Sequence, residues 1–145
     1  MLPGIKSYAT CIRFNSHLYK KKNTSTLERP ALLDLPYKLV FAIGTVDQVL
    51  IYSSECIFPI AVVGNIHYAT INDFCWDSAG RKLLAASSDG YISIISIGSD
   101  ESILGERLPL DTVPDKLRPQ VEACNNVSYR KFEDEVKNAK NQFKP

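Results

Sequence analysis

Apolar and polar positions alternate in short runs along the middle of the chain, and the runs come in pairs. Lys38 to Gly44 (KLVFAIG) is mostly apolar and β-prone. Thr45 to Gln48 turns around Asp47, and Val49 to Ser53 (VLIYS) returns. So short a connection predicts an antiparallel hairpin. Ser54-Glu55-Cys56 is a second turn. Phe58 to Val63 is a third strand, with Pro59 near its start, where a missing N–H does least harm. Gly64 to Tyr68 is a connecting loop, followed by a strand from Ile71 to Trp76 and a turn at Asp77-Ser78-Ala79-Gly80. Lys82 to Ser88 and Tyr91 to Ile97 flank a tight Asp89-Gly90 turn. In the last strand Ile92, Ile94 and Ile97 nearly alternate with serines, as in a half-buried strand.

Strands about ten residues apart, joined as hairpins, indicate a sandwich or a propeller. Comparing the hairpins favours the propeller. YKLVFAIGTVDQVLIYSS and RKLLAASSDGYISIISIG both read as a basic residue, an apolar strand, an Asp turn and an apolar strand leading to Ser. Their offset, a little over about forty residues, is the period of a propeller blade. The stretch Phe58 to Ile97 holds one such repeat with its connecting loop.

The flanks differ. Residues 1–34 read as a loose strand, Ala9 to Phe14, followed by a polar loop. In that loop Lys20-Lys21-Lys22 fits a solvated surface better than a targeting signal. Residues 35–98 hold two WD-type blades. Residues 99–126, with Pro109, Pro114 and Pro119, read as an extended tail. Over 127–143, Ser128 is a possible N-cap, and Tyr129, Phe132, Val136 and Phe143 suggest a short amphipathic helix. The predicted fold is therefore all-β: a partial WD-repeat β-propeller of about two blades with an irregular tail and a short C-terminal helix. Closed propellers have about four to eight blades, so this stretch is expected to be a fragment with open strand edges.

Composition narrows the function. The 145 residues are 45% hydrophobic and carry a formal charge of +1. That balance gives no field for wholesale nucleic-acid binding, and no direct sequence-specific contact with nucleic acid is expected. The longest apolar run, Ile57 to Val63, is too short to span a bilayer, so no membrane role is expected. The four cysteines form no CxxC pair and the two histidines lie apart from them, so no metal site and no cofactor is expected. Cys75, inside an apolar strand, is expected to be a buried small hydrophobe in a reducing compartment. The sequons at Asn23 and Asn126 are then chance matches.

The candidate chemistry is His67, Ser87 and Asp89. A propeller repeat of the WD type joins a loop His, a strand Ser or Thr and a turn Asp to a Trp on the third strand. Here the Trp position is Ile95, which has no donor, and the Trp-Asp signature is Ile95-Ser96, with Tyr52-Ser53 in the preceding repeat. A catalytic triad uses the same residue types. The spacing suits a truncated structural network better, so no catalytic residue is assigned and no enzyme is expected. Asp73 and Asp77 flank Trp76 without a pairing signature for acid–base work.

The runs LPYKLVFAI, DQVLIYSSECIFPIAVVGNIHYATINDFCW, SSDGY and ILGERLPL resemble the last part of the WD-repeat subunit of chromatin assembly factor 1, the middle-sized of its subunits. The resemblance covers residues 35–110. It implies a non-enzymatic scaffold subunit of a nuclear histone chaperone complex that assembles nucleosomes at replicated or repaired DNA. The implied partners are the large subunit of that factor, histones through the complex, and another histone chaperone bound through a basic tail motif. Lys116-Leu117-Arg118-Pro119 matches that motif poorly. A generic WD-repeat adaptor, or a corepressor of the histone-regulator type, is the alternative. A small β-sandwich binding domain comes third.

Overall fold

The computed structural model describes residues 2–22, 30–98 and 103–125. Its first sheet is antiparallel, with strands β1 (Ala9–Phe14), β4 (Val40–Thr45), β5 (Gln48–Ser53) and β6 (Cys56–Gly64) in that spatial order. Between β1 and β4 the chain makes an excursion that carries the two-residue strands β2 (Tyr19–Lys20) and β3 (Tyr37–Lys38), which pair with each other. The second sheet holds β7 (Ile71–Trp76), β8 (Lys82–Ser87) and β9 (Ile92–Ser96), also antiparallel. The strands predicted over 38–97 are thus present, with ends shifted by one or two residues. The two sheets stack as blades, with β7 against β1 and β4.

Cross-strand partners share a face, so the register fixes the core. In the first blade Val40, Ala42, Val49 and Ile51 point toward the second. They pack on its Ile71, Phe74, Leu83 and Ala85, all at most 4% exposed. Gly44 permits this approach, because a Cβ there would lie 2.7 Å from Phe74 Cζ and 2.8 Å from Cys11 Sγ. The far face of the first blade, Phe41, Ile43, Leu50 and Tyr52, is covered by Leu2, Ile5 and Leu32. Tyr52 donates to the Pro3 carbonyl at 2.7 Å. Phe41 stacks on Tyr52 with ring centroids 5.6 Å apart.

Three expectations are corrected. Residues 9–14 are not a loose strand beside the blades: they are the edge strand of the first sheet, paired with β4 from Cys11↔Gly44 to Phe14↔Phe41. The tail is not extended from 103 onward. Lys20 N–H bonds to the Glu106 carbonyl and Leu108 N–H to the Leu18 carbonyl, each at 2.8 Å, and Leu104 and Val113 are buried. A 3₁₀ turn follows at Leu110–Thr112, then helix α1 at Arg118–Asn125. Pro119 sits in the first turn of α1, where the missing N–H costs no hydrogen bond. The tail folds back because its apolar residues find the blade core. Cys75 is exposed, not buried. It pairs with Leu84, on the face that points away from the first blade. The helix predicted over 127–143 lies outside the described residues. No helix among the described residues is long and apolar enough to cross a membrane.

Candidate functional site

His67 lies in the loop between β6 and β7, Ser87 ends β8, and Asp89 sits in the β8–β9 turn. Gly90, at φ +85°, supplies the left-handed step that closes that turn. The Asp89 carboxylate gathers the loop. One oxygen accepts from His67 Nδ1–H at 3.0 Å and from Tyr68 N–H at 3.0 Å; the other accepts from Tyr91 N–H at 2.9 Å. Burial pushes the Asp89 carboxyl up. The donors on Tyr91, Tyr68, His67 and Ser87 outweigh that and hold it below the usual carboxylate range.

Ser87 joins through the backbone. Its Oγ accepts from Asp89 N–H at 3.3 Å and donates to the Ala69 carbonyl at 3.1 Å. The structure therefore brings His67 to Asp89 and Ser87 to Asp89, but forms no Ser87–His67 hydrogen bond. His67 Nε2 is buried and unpartnered. A nucleophile–base contact, the first requirement of triad chemistry, is missing from this set. Among the described residues no group of His, Cys, Asp or Glu converges as a metal site.

Sequence reasoning missed a second polar cluster, which ties the blades together. The β7–β8 turn, Asp77 to Gly80, is gripped by residues from the polar excursion. Asn15 donates to the Gly80 carbonyl at 2.8 Å and accepts from His17 N–H at 2.9 Å. His17 Nε2–H donates to the Ser78 carbonyl at 2.8 Å, and Tyr19 OH to the Gly80 carbonyl at 3.3 Å. The Arg107 guanidinium donates to the Ala79 carbonyl. Gly80, at φ +67°, admits no side chain, since a Cβ would meet Asn15 Oδ1 at 2.4 Å. Trp76 adds another tie, its indole N–H donating to the Arg13 carbonyl at 3.1 Å. Beside it opens a cleft of about 340 Å³ walled by Phe14, Phe74, Cys75 and Trp76. The charged groups on its rim are committed, Arg13 to Asp73 and Asp77 to the N–H groups of Arg81 and Lys82.

The grip is expected to be pH-sensitive. Burial lowers the His17 pKa below 6.5, with Arg107 adding to the effect and the Ser78 carbonyl and Asp77 opposing it. The folded state therefore resists a proton that the unfolded chain takes up. Stability is full above about pH 6.5 and falls as pH drops through the unfolded value, until the native ring itself titrates. Urea midpoints measured from pH 7.5 to 5 should fall for the wild type and fall less for His17→Gln. An equal slope in both proteins would remove His17 from this account.

Comparison with known proteins bears on the fold. The CAF1B/HIR1 beta-propeller domain model matches residues 1–102. The chain is 40% identical to the B-type subunit of chromatin assembly factor 1 from Saccharomyces cerevisiae, over 77% of its own length and 24% of that protein. It is 41% identical to the corresponding Gallus gallus protein, over 77% of the chain and 18% of that protein. It is 31% identical to Protein HIR1 of Candida albicans, over 62% of the chain and 10% of that protein. The chain thus spans a quarter or less of the length of these relatives. Two stacked antiparallel blades and a match running through both of them agree: the chain belongs to the CAF1B/HIR1 beta-propeller domain family.

Proposed function

We propose that the chain is a non-enzymatic scaffold element of a histone chaperone subunit, acting in nucleosome assembly coupled to replication or repair. One observation carries the reading: the similarity to the B-type subunit of chromatin assembly factor 1 is at the level of two-fifths identity and takes in 77% of the chain. On this reading the partners are the large subunit of that factor and, through the complex, histones, and the site of action is the nucleus. His67, Ser87 and Asp89 serve as a structural network. The supporting geometry is a carboxylate that fixes three donors around a turn, with no Ser–His contact for chemistry. Such a network holds loop and turn rigid for partners to meet.

A second reading, an adaptor or corepressor of the histone-regulator type, has support from the family match and from the similarity to Protein HIR1. Co-purification separates the two. The tagged chain is expected to retain the large subunit of chromatin assembly factor 1, and histones with it. Retention of histone-regulator partners in its place would favour the second reading. Retention of neither would sink both.

A further inference from the structure

Tyr8, Tyr68 and Tyr91 are 70%, 100% and 69% exposed, whereas the other described tyrosines, Tyr19, Tyr37 and Tyr52, are buried or half-buried. All three exposed ones stand at one end of the strands. Ala9 pairs with Thr45 and Gln48 with Gly64, so the start of β1, the β4–β5 turn and the exit of β6 lie side by side. Ile71 pairs with Ser87, which sets the loop into β7 beside the β8–β9 turn. The Asn65 N–H donates to the Asp47 carbonyl at 3.3 Å and ties that loop to the first blade. Exposed apolar side chains are ordinary singly; gathered at one place they mark a contact site.

The rings sit on held backbone. The Tyr68 and Tyr91 N–H groups donate to the one Asp89 carboxylate at 3.0 and 2.9 Å, so a single side chain spaces the two residues. Next to Tyr8, the Ser7 hydroxyl donates to Asp47 Oδ1 at 3.5 Å. A tyrosine so placed offers wide contact at little entropic cost. Charge then selects the partner. Among the described residues this end carries two carboxylates, Asp47 and Asp89, against the ammonium of Lys6, and Asp47 is exposed. At the other end Lys20 is paired with Glu106, Lys21 with Asp34 and Lys38 with Glu55, while Arg81, Lys82 and Arg107 stand against Asp77. A strand of six residues, about 20 Å, separates the ends. That exceeds the screening length of about 8 Å at physiological salt. A basic chain is thus admitted at the tyrosine end and repelled at the other, and exposed tyrosine rings attract cations to their faces.

We propose that the Tyr8–Tyr68–Tyr91 end of the blades binds an extended lysine- or arginine-rich segment of a partner protein, its cations lying on the rings and beside Asp47. The proposal rests on the function proposed above only in taking the chain to meet a partner; the tyrosine cluster and the charges select a basic one. The probe is a short synthetic peptide of alternating lysine and glycine, labelled for fluorescence anisotropy and titrated with the whole chain. Saturable binding that weakens with added salt is expected. Tyr68→Ala and Tyr91→Ala should each weaken it by about two- to fivefold, the effect of one exposed cation–aromatic contact. Both side chains are exposed, so both variants should keep the wild-type melt. Tyr68→Phe keeps the ring and should bind as the wild type does, whereas Tyr68→Leu should bind as Tyr68→Ala does. Lys82→Ala, at the far end, should not weaken binding. The proposal is overturned by an absence of saturable binding, by a glutamate–glycine peptide that binds as tightly, by alanine variants with wild-type affinity, or by full affinity in Tyr68→Leu. The titration needs no other subunit, so its failure leaves the co-purification result standing, and a failed co-purification leaves the titration to be judged by itself.

Discussion

Phe74→Ala is expected to cost about 3–5 kcal/mol, the range for deleting a buried aromatic ring. Phe74 is 4% exposed and stands at the centre of the contact between blades, packed against the bare backbone of Gly44. Gly44 carries no side chain to move into the space, so the cavity collapses poorly. Small domains are stable by only about 5–15 kcal/mol in total, so this one substitution removes a large share of what holds the blades together. Urea unfolding followed by the fluorescence of Trp76, the one tryptophan, reads the loss directly. Tyr68→Ala, at a fully exposed residue, should stay within about 0.5 kcal/mol of wild type. A Phe74→Ala cost below about 1 kcal/mol would mean that the two blades do not rely on this contact.

Asn15→Leu should be the most costly change among the polar residues. Leucine keeps the branched shape and heavy-atom count of asparagine but is bulkier, so crowding adds to the lost hydrogen bonds. The substitution strips the His17 N–H of its acceptor and the Gly80 carbonyl of its 2.8 Å donor, at a site where Asn15 is 6% exposed. Each buried group left unpaired costs about 1–3 kcal/mol. Tyr19 OH, at 3.3 Å, still reaches Gly80 and softens that part of the loss. Amide exchange adds a local readout: the His17 N–H should lose its protection first. Unchanged stability together with unchanged exchange at His17 would show that the grip on the Asp77–Gly80 turn does not hold the blades.

The hairpins were legible because their information is local. Alternation, the Asp47 and Asp89 turns and the Asp77–Gly80 turn each lie within a few residues of the strands they join. The place of Ala9–Phe14 was not legible. Its partner, β4, lies beyond a polar excursion, and nothing in ATCIRF names VFAIGT as its neighbour. Asn15 and His17 fall in a stretch that reads as a polar surface loop; they are buried because the carbonyls of Gly80 and Ser78 come to meet them. Cys75 was misjudged because the register shift between Ile71 and Asp73 breaks strict alternation in β7. In the candidate site the His67–Asp89 bond followed from the repeat pattern. The turn of Ser87 toward Ala69 did not, since a hydroxyl chooses among nearby carbonyls that no pattern specifies.

The pairing of Leu18–Lys20 with Glu106–Leu108 has a kinetic consequence. It joins parts of the chain 86 residues apart in the Lys20–Glu106 ion pair, so the intervening chain must be ordered before the ends stay together. Loop-closure entropy opposes such a contact until the hairpins between have formed and shortened the effective loop. The blades are therefore expected to assemble from their hairpins outward, with the strap from the tail fastening last, so the Lys20 and Leu108 N–H groups should gain exchange protection after the hairpin amides.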